Sequence, residues 1–125
     1  MIIAYWIVAG LLALAYLLAG VTKLVRSNAQ LEASGMHWVR GTNPALVKLV
    51  GLVEVVGVAG LILPPLFSTA AFLAPLAAVG LILVQAVAIG IHMKMGDLRS
   101  LPINIALLLL AFVAAWIGVL TFPLS

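Results

Sequence analysis

The sequence predicts an all-α protein, a transmembrane four-helix bundle, and three observations carry that prediction. Of the 125 residues, 66% are hydrophobic and only 7% charged, with a mean hydropathy of +1.38. A soluble domain is about a quarter charged, so this chain lacks the charge to coat a water-facing surface, and lipid must solvate part of it. The apolar residues fall into four stretches, each long enough to cross a bilayer, and the basic residues gather around the connections on one side.

The first stretch covers residues 2–22. At about 1.5 Å per residue, some 20 helical residues cross a hydrocarbon core of roughly 30 Å. No Lys or Arg precedes Lys23, so the stretch lacks the basic region of a secretory signal and reads as a retained helix. The second stretch covers 45–63. Thr42 and Asn43 offer an N-cap, Pro44 suits a first helical turn, and Pro64-Pro65 is expected to end the helix. The third covers 68–93 and contains Pro75. Either its helix begins near Ala74, or it carries a proline kink of the kind membranes tolerate. The fourth covers 101–122, with Ser100 as candidate cap and Pro102 in its first turn.

The connection 24–43 is the long one. It sets Leu31, Met36, Trp38 and Val39 among Arg26, Glu32, His37 and Arg40. That pattern suits a short helix lying in the membrane interface, or a polar loop anchored by one Trp with His37 in water. Lys23, Arg26, Arg40 and Lys48 flank this connection, and Lys94 and Arg99 lie in the third. The N-terminus, the Pro64-Pro65 turn and the C-terminal tail carry no basic residue. By the positive-inside rule the basic side is cytoplasmic and both termini lie outside.

Polar residues are few and their spacing is informative. Glu54 lies well past Lys48, inside the apolar layer, and shares a helix face with Gly51 and Gly57. Acids at such depth normally face the bundle interior and a partner. Either Glu54 is protonated, or a cation and water keep it charged. Tyr16 and Lys23 are seven apart on the first helix, and Gln85 and His92 seven apart on the third, so each pair shares a face. Asn104 enters the fourth helix from the basic side. Each helix thus offers a polar group within the same half of the membrane.

Read as function, Tyr16, Lys23, Glu54, Gln85, His92 and Asn104 line a polar pocket open toward the basic side. Glu54 and His92, with Tyr16 assisting, are the candidates for proton transfer, and Lys23, Gln85 and Asn104 the candidates for ligand binding. Read as structure alone, these groups are interhelical hydrogen-bond glue worth about 1 kcal/mol each, and Lys23 and Lys48 snorkel. Eight of the eleven glycines fall within the spans, which argues for close helix packing.

Other chemistry has little support. The chain has no cysteine, which removes disulfides, thiol catalysis and thiolate metal sites. The run His92-Met93-Lys94-Met95 lacks a second ligand on its face, so no metal site is expected, and bis-His haem would need His37 or another subunit. Phosphate-binding glycine motifs, a Ser-His-Asp set and a basic nucleic-acid surface are absent. The net charge of +3 follows from topology and suits anionic lipid.

Several segments resemble a known family when taken together. Ala19-Gly20-Val21-Thr22-Lys23-Leu24 closes the first helix. Gly35-Met36-His37-Trp38-Val39 and the stretch from Thr42 to Lys48 follow, and then Gly51-Leu52-Val53-Glu54-Val55-Val56-Gly57-Val58-Ala59-Gly60-Leu61-Ile62-Leu63-Pro64. With a His near the end of the third helix and Pro102-Ile103-Asn104 opening the fourth, the chain resembles the DoxX-like family over nearly its whole length. The Gly-x-x-Glu-x-x-Gly helix is the most specific part, and Glu54 and Lys23 match the family pattern.

That resemblance implies a four-helix membrane fold in the inner membrane of a bacterium. The family takes its name from a membrane subunit of a thiosulfate:quinone oxidoreductase. Other relatives are linked to oxidative-stress complexes, and a eukaryotic relative is a receptor-assembly chaperone. Three functions are therefore carried forward. The first is binding of a small lipophilic molecule, quinone-like or lipid-like, serving a redox or stress-response system. The second is acid/base chemistry on a lipophilic substrate, such as isomerisation or epoxide opening. The third is a non-catalytic assembly factor. The expected partners are membrane lipid, the lipophilic ligand, and a second copy of the chain or a membrane redox protein.

Overall fold

Four long apolar helices and one short one account for the computed structural model, which describes residues 1–35, 39–96, 98–99 and 101–122. In chain order they are α1 (Ile2–Val25), α2 (Asn28–Ala33), α3 (Pro44–Leu66), α4 (Leu73–Lys94) and α5 (Leu101–Thr121). The protein is an all-α transmembrane four-helix bundle. α1, α3, α4 and α5 each have the length and hydropathy of a membrane span. α1 packs on α3, α3 on α4, α4 on α5, and α5 back on α1, so the four spans close into a ring. Their outer faces carry large apolar side chains such as Ile3, Leu18, Leu83 and Trp116, a surface that suits lipid and not water.

Two apolar layers fill the ring. One, built on Tyr5, Ala9, Ala74 and Phe122, sits at the end away from the basic residues. There the Tyr5 ring meets the edge of Phe122 at 4.8 Å between centroids. The other, built on Leu12, Tyr16, Val58, Leu61, Leu81 and Ala111, fills the middle. The buried polar residues Lys23, Glu54, Gln85, His92 and Asn104 lie toward the basic end.

Helix starts follow local chemistry. Asn43 caps α3, its side-chain oxygen accepting from the Ala45 N–H at 2.9 Å, and Pro44 takes the first helical position. α4 begins at Leu73, so Pro75 falls in the first turn, where its missing N–H would have had no helical acceptor. Of the two alternatives for this helix, the late start is the observed one. Residues before it reverse the chain, with Ser68 and Ala70 in the left-handed region at φ 52 and 51. α4 stops at Lys94, followed by Gly96 at φ 72, whose N–H reaches Met93 O at 3.2 Å. The expected cap at Ser100 lies outside the described residues.

The end of α3 differs from the expectation. Pro64-Pro65 does not stop the helix, which runs on to Leu66. A proline withholds the N–H that would serve the carbonyl four residues earlier, so Pro65 frees the Leu61 carbonyl. The Tyr5 hydroxyl donates to that carbonyl at 2.7 Å in a buried contact. Membrane helices tolerate proline where a neighbouring helix re-satisfies the freed group, and here α1 does so. Tyr5→Phe is expected to lower the unfolding free energy by about 1 kcal/mol. A double-mutant cycle with Pro65→Ala checks the cause: restoring the N–H should make Tyr5→Phe nearly silent, and equal losses in both backgrounds would refute it.

The first connection contains a short helix. Ser27 and Gln30 form a reciprocal capping box at the start of α2. Leu31 is its buried residue and packs with Val39 and Val47. Asn28 donates to the Thr42 carbonyl at 2.9 Å, tying the two ends of the segment together. The Arg40–Glu32 pair is exposed and contributes little. Met36, His37 and Trp38 lie outside the described residues.

Candidate functional site

The site is made by the crossing of α1 and α3. Gly20 and Gly51 face each other there. A Cβ built on Gly20 would lie 2.8 Å from Gly51 O, and one built on Gly51 would lie 2.8 Å from Gly20 O and 2.9 Å from the Lys23 Cβ. Only glycine on both sides allows this approach. Lys23 follows Gly20 by one turn, and Glu54 follows Gly51 by one turn. The antiparallel crossing therefore sets each ionisable residue beside the other helix's glycine. Lys23 Nζ donates to Glu54 Oε1 at 2.7 Å, with both side chains buried. The group that meets the deep acid is the Lys23 side chain from the neighbouring helix.

Lys48 does something other than snorkel. Its ammonium donates to Lys23 O at 2.8 Å and to Arg26 O, the last carbonyls of α1. It thereby satisfies backbone groups that the helix cannot, at the end where positive charge is favoured. No pattern in the sequence marks this contact, because Lys48 and α1 are joined only by the crossing.

The remaining polar residues arrive on α4 and α5. Gly57 packs on Leu81 and Gly60 on Ala77, an antiparallel register that brings Gln85 level with Glu54. Tyr5 against Phe122 sets α1 against α5, and by that register Asn104 is level with Lys23. His92 lies about two turns, roughly 10 Å, nearer the basic end than Gln85. The result is a cavity of about 490 Å³ whose lining includes Lys23, Glu54, Gln85, His92 and Asn104 among apolar walls. Its size falls within the range of small-molecule pockets, roughly 300–1,000 Å³.

Five of the six residues singled out from the sequence thus meet around one space. Tyr16 does not line it. Its ring is 1% exposed and belongs to the middle apolar layer. Its hydroxyl faces the Gln85 side chain but falls short of hydrogen-bond geometry. Tyr16 therefore neighbours Gln85 without being part of the lining. Periodicity put Tyr16 on the Lys23 face correctly but could not give its depth relative to α4.

Three buried polar atoms in this region have no hydrogen-bond partner: the Tyr16 hydroxyl, Gln85 Oε1 and Asn104 Nδ2. Such groups are uncommon in folded proteins and call for a reason. Gln85 and Asn104 both border the cavity. Among the described residues, no three His, Asp or Glu side chains gather to hold a metal ion. The model of a family described as the DoxX-like family matches residues 7–114, a span that holds every residue of the site. Neither a curated protein nor a solved structure matches the chain significantly.

Proposed function

This chain belongs to the DoxX-like family, and on that footing we propose that it binds one small lipophilic molecule, quinone-like or lipid-like, in the polar-lined cavity within the bilayer. One observation carries the reading: about 490 Å³ of space with apolar walls and five polar side chains, drawn from all four spanning helices. Interhelical glue alone would have closed such groups onto one another and left no space of this size between them. A small molecule with an apolar body and a polar end fits such a space.

The Lys23–Glu54 pairing favours binding over acid/base chemistry. An acid engaged at 2.7 Å by a buried ammonium is poorly placed to exchange protons with a substrate. The basic residues at the ends of α1 and α4 and the start of α3 support a placement of that end at the cytoplasmic face of an inner membrane. The redox or stress-response setting comes from the family alone.

Mass spectrometry of the protein purified in mild detergent is the test. One small lipophilic species should be retained in near-stoichiometric amount. Its retention should fall by about tenfold or more, roughly 1.4 kcal/mol, when Asn104→Leu and Gln85→Leu remove the cavity amides together. A protein that retains nothing, or retains the same species equally in that variant, would refute the reading. A stoichiometric protein partner unaffected by the variant would favour an assembly factor.

A further inference from the structure

The chemical class of the ligand and its route of access can be read from the same cavity, on the reading just proposed. We infer that the occupant is an uncharged amphiphile whose head carries both a hydrogen-bond donor and an acceptor, and that it passes between bilayer and cavity sideways, through the seam of α3 and α4.

The head-group class follows from the polar groups that border the cavity. Its one buried ammonium and one buried carboxylate already face each other at 2.7 Å. An anionic head, such as a phosphate or a carboxylate, would bring a second negative charge to one buried ammonium already paired with Glu54, which is costly in a low-dielectric interior. The other polar groups that border it include two neutral carboxamides, Gln85 and Asn104, with relative exposures of 5% and 8%. A carboxamide offers a donor on one side and an acceptor on the other, whichever way it is turned. Two of them at different depths match a head with a carbonyl or ether oxygen and a hydroxyl.

The route follows from the rim. Leu49 and Val53 on α3 and Leu83 and Val87 on α4 border the cavity while remaining 42% to 63% exposed on the outer, lipid-facing surface. They give the space an opening toward the bilayer between α3 and α4, and Ile103 on α5, 67% exposed, also borders it. α3 and α4 make their close glycine contacts at Gly57 and Gly60, further from the basic end than the cavity. Along this part of the seam Leu49, Val53, Leu83 and Val87 are all apolar. An alkyl chain lying in that seam meets apolar side chains on both sides and ends in the bilayer, where it has nothing to desolvate.

The test uses the delipidated protein in mild detergent with three oleoyl probes: monooleoylglycerol, oleoyl lysophosphatidate and octadecene as a headless control, read by native mass spectrometry. Monooleoylglycerol should be retained at least about tenfold better than either of the others. Gln85→Leu with Asn104→Leu should abolish that preference. Val87→Trp, which places an indole in the mouth, should cut retention by about tenfold, whereas Leu109→Trp, on the exposed face of α5 away from the cavity, should not. Preference for lysophosphatidate would overturn the head-group class and leave the pocket standing. Equal retention in Val87→Trp and wild type would overturn the route. Failure of every probe, together with nothing co-purifying, would take down the binding reading itself.

Discussion

Lys23→Met and Glu54→Gln, made singly, are each expected to destabilise the bundle by about 3–5 kcal/mol. Each leaves its former partner buried without a counter-charge, and both side chains are nearly sealed, at 9% and 4% exposure. The double variant Lys23→Met with Glu54→Met behaves differently. It removes both charges together and fills the space with apolar groups of similar length, so it should recover most of the loss. Unfolding of the four proteins in a lipid-mimetic detergent closes the cycle. Independent, additive losses would mean that the two residues do not act as a pair. The double variant also separates stability from use: a bundle that is stable and still retains its ligand would assign the pair to folding alone.

Gly51→Val should be more disruptive to the site than its size suggests. The first added carbon would meet Gly20 O at 2.8 Å and the Lys23 Cβ at 2.9 Å. One neighbour is backbone and cannot rotate away, so α1 and α3 must separate. Overpacking of this kind costs about 1–3 kcal/mol, and here it also pulls Lys23 from Glu54 and Lys48 from the end of α1. Gly10, Gly80 and Gly90 provide the contrast. A Cβ on any of them meets nothing within 4 Å. Alanine at those positions should be neutral or stabilising by about 0.5–1 kcal/mol through helix propensity. Thermal unfolding of the alanine series beside Gly51→Val checks both. If Gly51→Val proved as mild as Gly90→Ala, the close crossing would be wrong.

What could be read from the chain was set by one-dimensional signals. The spans are long runs of apolar residues, and Asn43-Pro44 is a start signal that acts locally, so both were legible. Glu54 drew notice because an acid so deep must have a partner. That its partner is Lys23 depends on Gly20 meeting Gly51, a contact between residues on different helices that neither sequence position reveals. Pro64-Pro65 misled for a related reason. Proline is read as a stop because it strands a carbonyl, and whether the helix stops depends on who can reach that carbonyl. Tyr5 reaches it from the far end of α1, and the offset of four between Leu61 and Pro65 is the clue that a tyrosine elsewhere had to confirm. Lys48 read as an ordinary interfacial lysine because its acceptors are backbone atoms of another helix, which carry no sequence mark.

The polar fastenings between spans have an uneven distribution. Tyr5 to Leu61, Lys23 to Glu54 and Lys48 to the last carbonyls of α1 all stitch the same two helices, near one end, in the lower half and at the tip. Directional bonds fix the register of α1 and α3 along their whole length. A pair fastened at three depths holds the Lys23–Glu54 wall of the cavity in a fixed register.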